Sequence, residues 1–202
     1  MKLPFQEDAS PTGGFHPVSI SISPLEKKSP ELEAREQIIR LLVVSYPHNI
    51  HHGVVEVIDY HHPPTSFLTN LFGIRQSERG GELSYVATIE SDLFTSPAGI
   101  VAVTDHASLP SEFDGHSIPS FYLTNTYRSK SALARRLEKG LGVPRGDLVF
   151  YHAREQTTVR VGFGLDRPGA IASDDSGSMR RICVSTQDGQ VHLFQFPLHE
   201  PV

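Results

Sequence analysis

A single cysteine, Cys183, is all the thiol chemistry in this 202-residue chain, which excludes an intramolecular disulfide and a zinc site built from clustered cysteines. It stands in Arg181-Ile182-Cys183-Val184, the setting of a small buried hydrophobe in a reducing compartment. No apolar run approaches the roughly 20 residues a bilayer-spanning helix needs, and Met1 to Ser19 holds no apolar stretch of the signal-peptide kind. The chain reads as soluble and intracellular. Catalytic signatures are equally scarce. There is no Gly-x-Ser-x-Gly elbow, and Ser176-Gly177-Ser178 falls in a stretch read as loop, a poor place to hold a nucleophile. Gly162-Phe163-Gly164 with Gly169 lies near Arg160 and Arg167 but lacks a Walker lysine and the dinucleotide-binding spacing, so it reads as turn or bulge.

What is present begins with charge segregation. Net charge is -5, but residues 1–127 carry 7 Lys+Arg against 15 Asp+Glu, whereas residues 128–181 carry 11 against 6. Such asymmetry fits an anionic partner for the basic segment, complementary contacts between copies, or two solvated faces. The basic residues singled out for anion or nucleic-acid binding are Arg128, Lys130, Arg135, Arg136, Lys139, Arg145 and Arg154, with Tyr127, Phe150 and Tyr151 as stacking groups. An overall isoelectric point near 6.1 is low for a dedicated nucleic-acid binder.

The chain's second concentration is histidine: five of its eleven fall between His48 and His62 around one apolar run. An extended strand rises about 3.3 Å per residue, so His52 and His62 stand roughly 33 Å apart and cannot share an ion held by bonds of about 2 Å. Two candidate metal sites follow. His48 and His52 have i, i+4 spacing on one helical turn, and Asp59 and His61 lie two apart on one face of a strand. A carboxylate beside an imidazole orients the ring for a metal or for proton transfer, and Asp114-Gly115-His116 repeats that spacing. The plainer alternative makes these histidines surface and turn residues flanking a buried strand.

Periodicity and punctuation predict one α+β domain over residues 29–202, mostly antiparallel sheet with two principal helices, after an extended N-terminal arm at 1–28. The arm holds an alternating segment, Val18 to Ser23. Ser29 as N-cap and Pro30 after it predict a first helix with Leu32, Ile38, Ile39 and Leu42 as its buried stripe. The second helix is predicted from about Ser129 to Lys139, with Gly140 as a left-handed cap. Leu133, Ala134, Leu137 and Leu141 form its buried side and Arg135, Arg136 and Lys139 its cationic side. Strands are predicted at Gly53 to Tyr60, Leu83 to Ile89, Gly99 to Thr104, Ile118 to Leu123, Leu148 to His152 and Thr157 to Gly162. A hairpin pairs Arg181 to Thr186 with Gln190 to Phe196, and 166–178 reads as a flexible loop.

Together these features predict a non-enzymatic structural or interaction subunit of a homo-oligomer or larger complex, using segregated acidic and basic surfaces. Two alternatives stay open: a nucleic-acid-binding factor acting through residues 128–181, and a metal-binding protein or metalloenzyme centred on His48, His52, Asp59 and His61. The one cofactor suggested is a divalent transition metal at those residues. No membrane span is expected.

Overall fold

A computed structural model describes residues 17–23, 37–45, 52–62, 82–103, 118–127, 131–141, 145–176 and 178–198. The described chain forms eleven strands in three antiparallel sheets. The first sheet runs in order β1 (Pro17–Ser23), β2 (Gln37–Ser45), β3 (Val54–His62) and β4 (Glu82–Glu90). The second contains β5 (Pro97–Val103), β6 (Ser120–Thr126), β7 (Gly146–His152) and β8 (Thr157–Phe163). In the third, β10 (Met179–Thr186) lies between β9 (Pro168–Ser176) and β11 (Val191–Pro197). Among the described residues one helix, α1 (Ala132–Leu141), lies between β6 and β7 in sequence.

Side-chain alternation in the second sheet explains why it sits in the middle. Phe121 and Leu123 of β6, Ile100 and Ala102 of β5, and Val149 and Tyr151 of β7 face the first sheet, where they meet Leu42, Val44, Val55, Val57 and Ile89. The intervening residues point the opposite way. Tyr122, Val103 and Leu148 pack with Ile182 and Val184 of β10, and Phe194 and Phe196 of β11 join them. Every residue of β6 from Ser120 to Asn125 is buried, as a strand covered on both faces must be. Phe121 stacks on Tyr151 with ring centroids 4.9 Å apart, and Tyr122 stacks on Phe196 at 5.3 Å. Two glycines matter for this assembly. A Cβ on Gly99 would stand 2.6 Å from the Gly169 carbonyl oxygen, so only glycine lets β9 cross β5 there. Gly189, at φ +83°, closes the β10–β11 turn, in which Asp188 accepts from the Thr186 hydroxyl at 2.5 Å.

The expected α+β fold with two principal helices is therefore corrected to a three-layered, nearly all-β fold. Ser29, Pro30 and Leu32, with which the first expected helix begins, lie outside the described residues. Its remainder is strand β2, in register with β3 from Gln37 opposite His62 to Ser45 opposite Val54. The cause is that Ile39, Leu41 and Val43 are apolar on one face of β2 while Leu42 and Val44 are apolar on the other, so a run without gaps satisfies either period. β-branched side chains and a full partner strand then favour the extended form. The expected loop at 166–178 contains β9, whose polar Ser173, Asp174 and Asp175 pair across to Ile182, Arg181 and Arg180. Helix α1 runs through Gly140 to Leu141, and Gly140 does not take the left-handed conformation expected of a cap. Its predicted buried side is reversed as well: Leu133, Leu137 and Leu141 are 69 %, 57 % and 76 % exposed. No described helix is long and apolar enough to cross a membrane.

Candidate functional site

The histidine-rich segment is distributed along β3 and the turn before it. His48 lies outside the described residues. His52 is exposed and borders a shallow depression of about 290 Å³ with Gly53, Val54, Glu90, Ser91 and Asp92. Asp59 points into the core, 1 % exposed, where Arg40 Nε and Nη2 donate to its two carboxylate oxygens at 2.7 Å each. Register alone dictates this pairing, because Arg40 and Asp59 are direct cross-strand partners on the inward face. His61 stands two residues further along β3, in register with Ile38 and Glu82. His52 thus precedes β3, while Asp59 lies within it seven residues further on. Among the described residues, no group of three or more His, Cys, Asp or Glu side chains is placed to hold a metal ion.

Several arginines of the basic segment are paired within the fold. Arg145, which is buried, lies 3.7 Å from Asp166. Arg160 meets Asp147 at 2.5 Å, Arg180 grips Asp175 through two hydrogen bonds of 2.9 Å, and Arg181 reaches Asp174 at 3.6 Å. Arg167 donates to Gln187 at 2.6 Å. Four of the segment's six acids are thereby matched with arginines. The remaining positive charge concentrates in sequence on residues 128–139, where Arg128, Lys130, Arg135, Arg136 and Lys139 face a single Glu138. Arg136 is exposed, Arg135 and Lys139 occupy positions on α1, and Arg128 and Lys130 lie outside the described residues. Arg154 is exposed in the β7–β8 turn. The structure does not gather these seven into one surface, since Arg145 is interior and Arg154 belongs to a different turn. The expected stacking groups Phe150 and Tyr151 are occupied as well, packed on Tyr122 at 4.6 Å and Phe121 at 4.9 Å.

A polar cluster that the sequence reading missed centres on Asp147. Its carboxylate accepts from Asn125 Nδ2 at 2.9 Å and from the Tyr127 hydroxyl at 2.5 Å, besides its contact with Arg160. Asn125 also donates to the Leu93 carbonyl at 2.7 Å, tying the cluster to the β4–β5 connection. Burial, followed by the hydrogen bond and charge of Asp147, pushes Tyr127 up to about 12. That direction is opposite to what a tyrosine acting as a base near neutral pH requires, so the cluster's chemistry is structural cross-bracing of β6, β7 and β8. Its sequence signal was Asn125 and Asp147 standing as polar residues inside otherwise apolar strands.

The outer surfaces carry more that is unusual. In β1, Ser19 and Ser21 face inward and accept from the backbone N–H groups of Ile100 and Ala102 at 3.3 and 3.0 Å, while Ile20 and Ile22 point outward. Ile39 and Tyr85 are exposed on that same outer face of the first sheet, as the strand register shows. On the third sheet, Val191 and Leu193 of β11 are 69 % and 55 % exposed. Exposed apolar side chains arranged along whole elements mark contact surfaces more often than solvent faces. No protein-family model matches the chain, and no curated protein matches it in sequence.

Proposed function

We propose that this protein is a non-enzymatic structural or interaction subunit of a homo-oligomer or larger complex, assembled through complementary acidic and basic surfaces. The observation that carries this reading is the character of helix α1. Its leucines Leu133, Leu137 and Leu141 are exposed at four-residue spacing, and positive charge from residues 128–139 surrounds them in sequence. An apolar stripe with a cationic border fits a surface that is apolar with acidic residues. The outer face of the first sheet offers that chemistry, with Ile20, Ile22, Ile39 and Tyr85 alongside Glu56 and Glu90. The leucine stripe also favours a protein partner over a nucleic acid, which would use the arginines and leave the leucines in water.

Light scattering across a salt series tests the proposal. The expected outcome is a mass above that of one chain at low ionic strength, falling as salt screens the charges, and falling also in Arg136→Glu. A single-chain mass that is the same at low and high salt contradicts it.

A further inference from the structure

Among the described residues the three sheets present six edge strands, and five of them carry devices that discourage pairing with another chain. β5 has two of its edge N–H groups, those of Ile100 and Ala102, taken by the Ser19 and Ser21 hydroxyls, and β1 begins at Pro17 and is shifted against β2 there. β4 has a register shift near its middle and Glu82 and Glu90 at its ends. β8 is shifted against β7 and contains Arg160 and Gly162. β9 begins at Pro168, is shifted against β10, and carries Asp174 and Asp175. Bulges, charges, proline and side-chain cover are the ways edges are kept from pairing. β11 has none of them from Val191 to Phe196, and its one proline, Pro197, stands at the far end of the strand. Val-His-Leu-Phe-Gln-Phe contains no Asp, Glu, Lys, Arg or Gly, and its register with β10 is unbroken from Val191 to Pro197.

Backbone parity shows which groups that edge offers. The Thr186 N–H donates to the Gln190 carbonyl at 3.0 Å, and the Leu198 N–H donates to the Ser178 carbonyl at 2.9 Å, bracketing the ladder at both ends. Hydrogen-bonded pairs alternate in an antiparallel ladder, so His192, Phe194 and Phe196 bond to β10. Val191, Leu193 and Gln195 therefore turn both N–H and C=O toward the edge that, among the described residues, has no partner strand. Pro197, which has no N–H, occupies the next outward position and ends the run.

We infer that β11 pairs with β11 of a second copy of this chain, antiparallel, about a twofold axis that is perpendicular to the sheet and passes midway between the two Leu193 residues. Leu193 then lies opposite Leu193 of the second copy, and Val191 lies opposite its Gln195. Each pair exchanges both backbone hydrogen bonds, and the outward side chains of both copies share one face. The pairing is self-complementary and consumes the open edge on both chains, so it closes at a dimer with one continuous sheet running from β9 to the second β9. The inference deepens the assembly reading by naming its partner, and rests on that reading while depending on backbone bonds instead of charge.

Sedimentation over a wide concentration range, in about 1 M salt where the screening length is about 3 Å, separates the two claims. The expected species is a dimer of twice 22.3 kDa. Leu193→Pro removes an outward-pointing N–H that β10 does not use and should weaken the dimer by about a hundredfold or more. Leu193→Lys supplies a second variant that leaves the backbone intact and should also shift it to monomer. Amide exchange adds a pattern specific to this pairing: Val191, Leu193 and Gln195 become protected as concentration rises, while His192 and Phe194 are protected throughout. A wild-type monomer at high salt and high concentration overturns the inference, as does a dimer unaffected by Leu193→Lys or one whose Leu193 amide exchanges freely. If larger assemblies form at low salt but only monomers remain at high salt, strand pairing fails and the charge contacts stand. If the dimer persists in salt but nothing larger forms without it, the charge contacts fail and strand pairing stands.

Discussion

β6 and β11 are both seven-residue strands rich in aromatic side chains, yet they occupy opposite situations. β6 has a partner on each edge and a packed sheet against each face, so its backbone groups and its Phe121, Tyr122 and Leu123 are all engaged inside the molecule. Among the described residues β11 has one partner strand and one covered face. Phe194 and Phe196 reach the second core while Val191, Leu193 and Gln195 face outward. Among the described residues, a strand edge and apolar side chains that no neighbouring element engages lie along one edge of the third sheet and on helix α1, and the proposed contacts are placed there.

The largest effects should come from the engaged side of that comparison. Phe121→Ala removes a ring that contacts both Phe94 and Tyr151 and should lower unfolding free energy by about 3–5 kcal/mol in a denaturant titration. Leu193→Ala, measured on dilute monomer, should change it by no more than about 0.5 kcal/mol. Equal losses at the two sites would erase the distinction between the strands. Asp59→Ala should cost about 3–5 kcal/mol, because Arg40 would remain buried without its carboxylate. The double variant Arg40→Met/Asp59→Leu should lose much less, which a double-mutant cycle would read as strong coupling.

Smaller effects sharpen the same contrast through pH. Tyr127 titrates at about 12 in the folded protein against an ordinary 10.0, so its contribution to stability is present below about pH 10 and is lost as pH rises through about 12. Tyr127→Phe should cost about 1 kcal/mol at neutral pH. Its unfolding midpoint should also fall less steeply than wild type in that alkaline window. Glu56 on the outer face of the first sheet has its carboxyl pushed up by burial. Folding therefore favours its protonated form, whose benefit is present below the ordinary value of 4.5 and lost as pH rises through the folded value. Glu56→Gln should accordingly raise stability at neutral pH by about 0.5 kcal/mol at most, with no gain in acid.

Most strands were legible in the sequence because turn residues bracket short β-branched runs, as at Val54 to Tyr60 and across Gln187-Asp188-Gly189. β2 was misread because an apolar run without polar gaps carries no period, and only the partner strand decides its form. β9 was misread because Asp174 and Asp175 look like loop residues until Arg181 and Arg180 are seen across the ladder. The same long-range pairing explains the candidate site. Composition showed an excess of arginine in residues 128–181, but not that Arg145, Arg160, Arg180 and Arg181 each have an acid beside them. Asp59 resembled a metal ligand in a D-x-H spacing, and its ion pair with Arg40 depends on a register nineteen residues away in sequence.

Sedimentation of the wild-type chain at low salt and again at about 1 M salt tests the central claim most directly. The account predicts a species larger than two chains at low salt that falls to twice 22.3 kDa, and no further, when the charges are screened. A single 22.3 kDa species under both conditions, at every concentration reached, would contradict it.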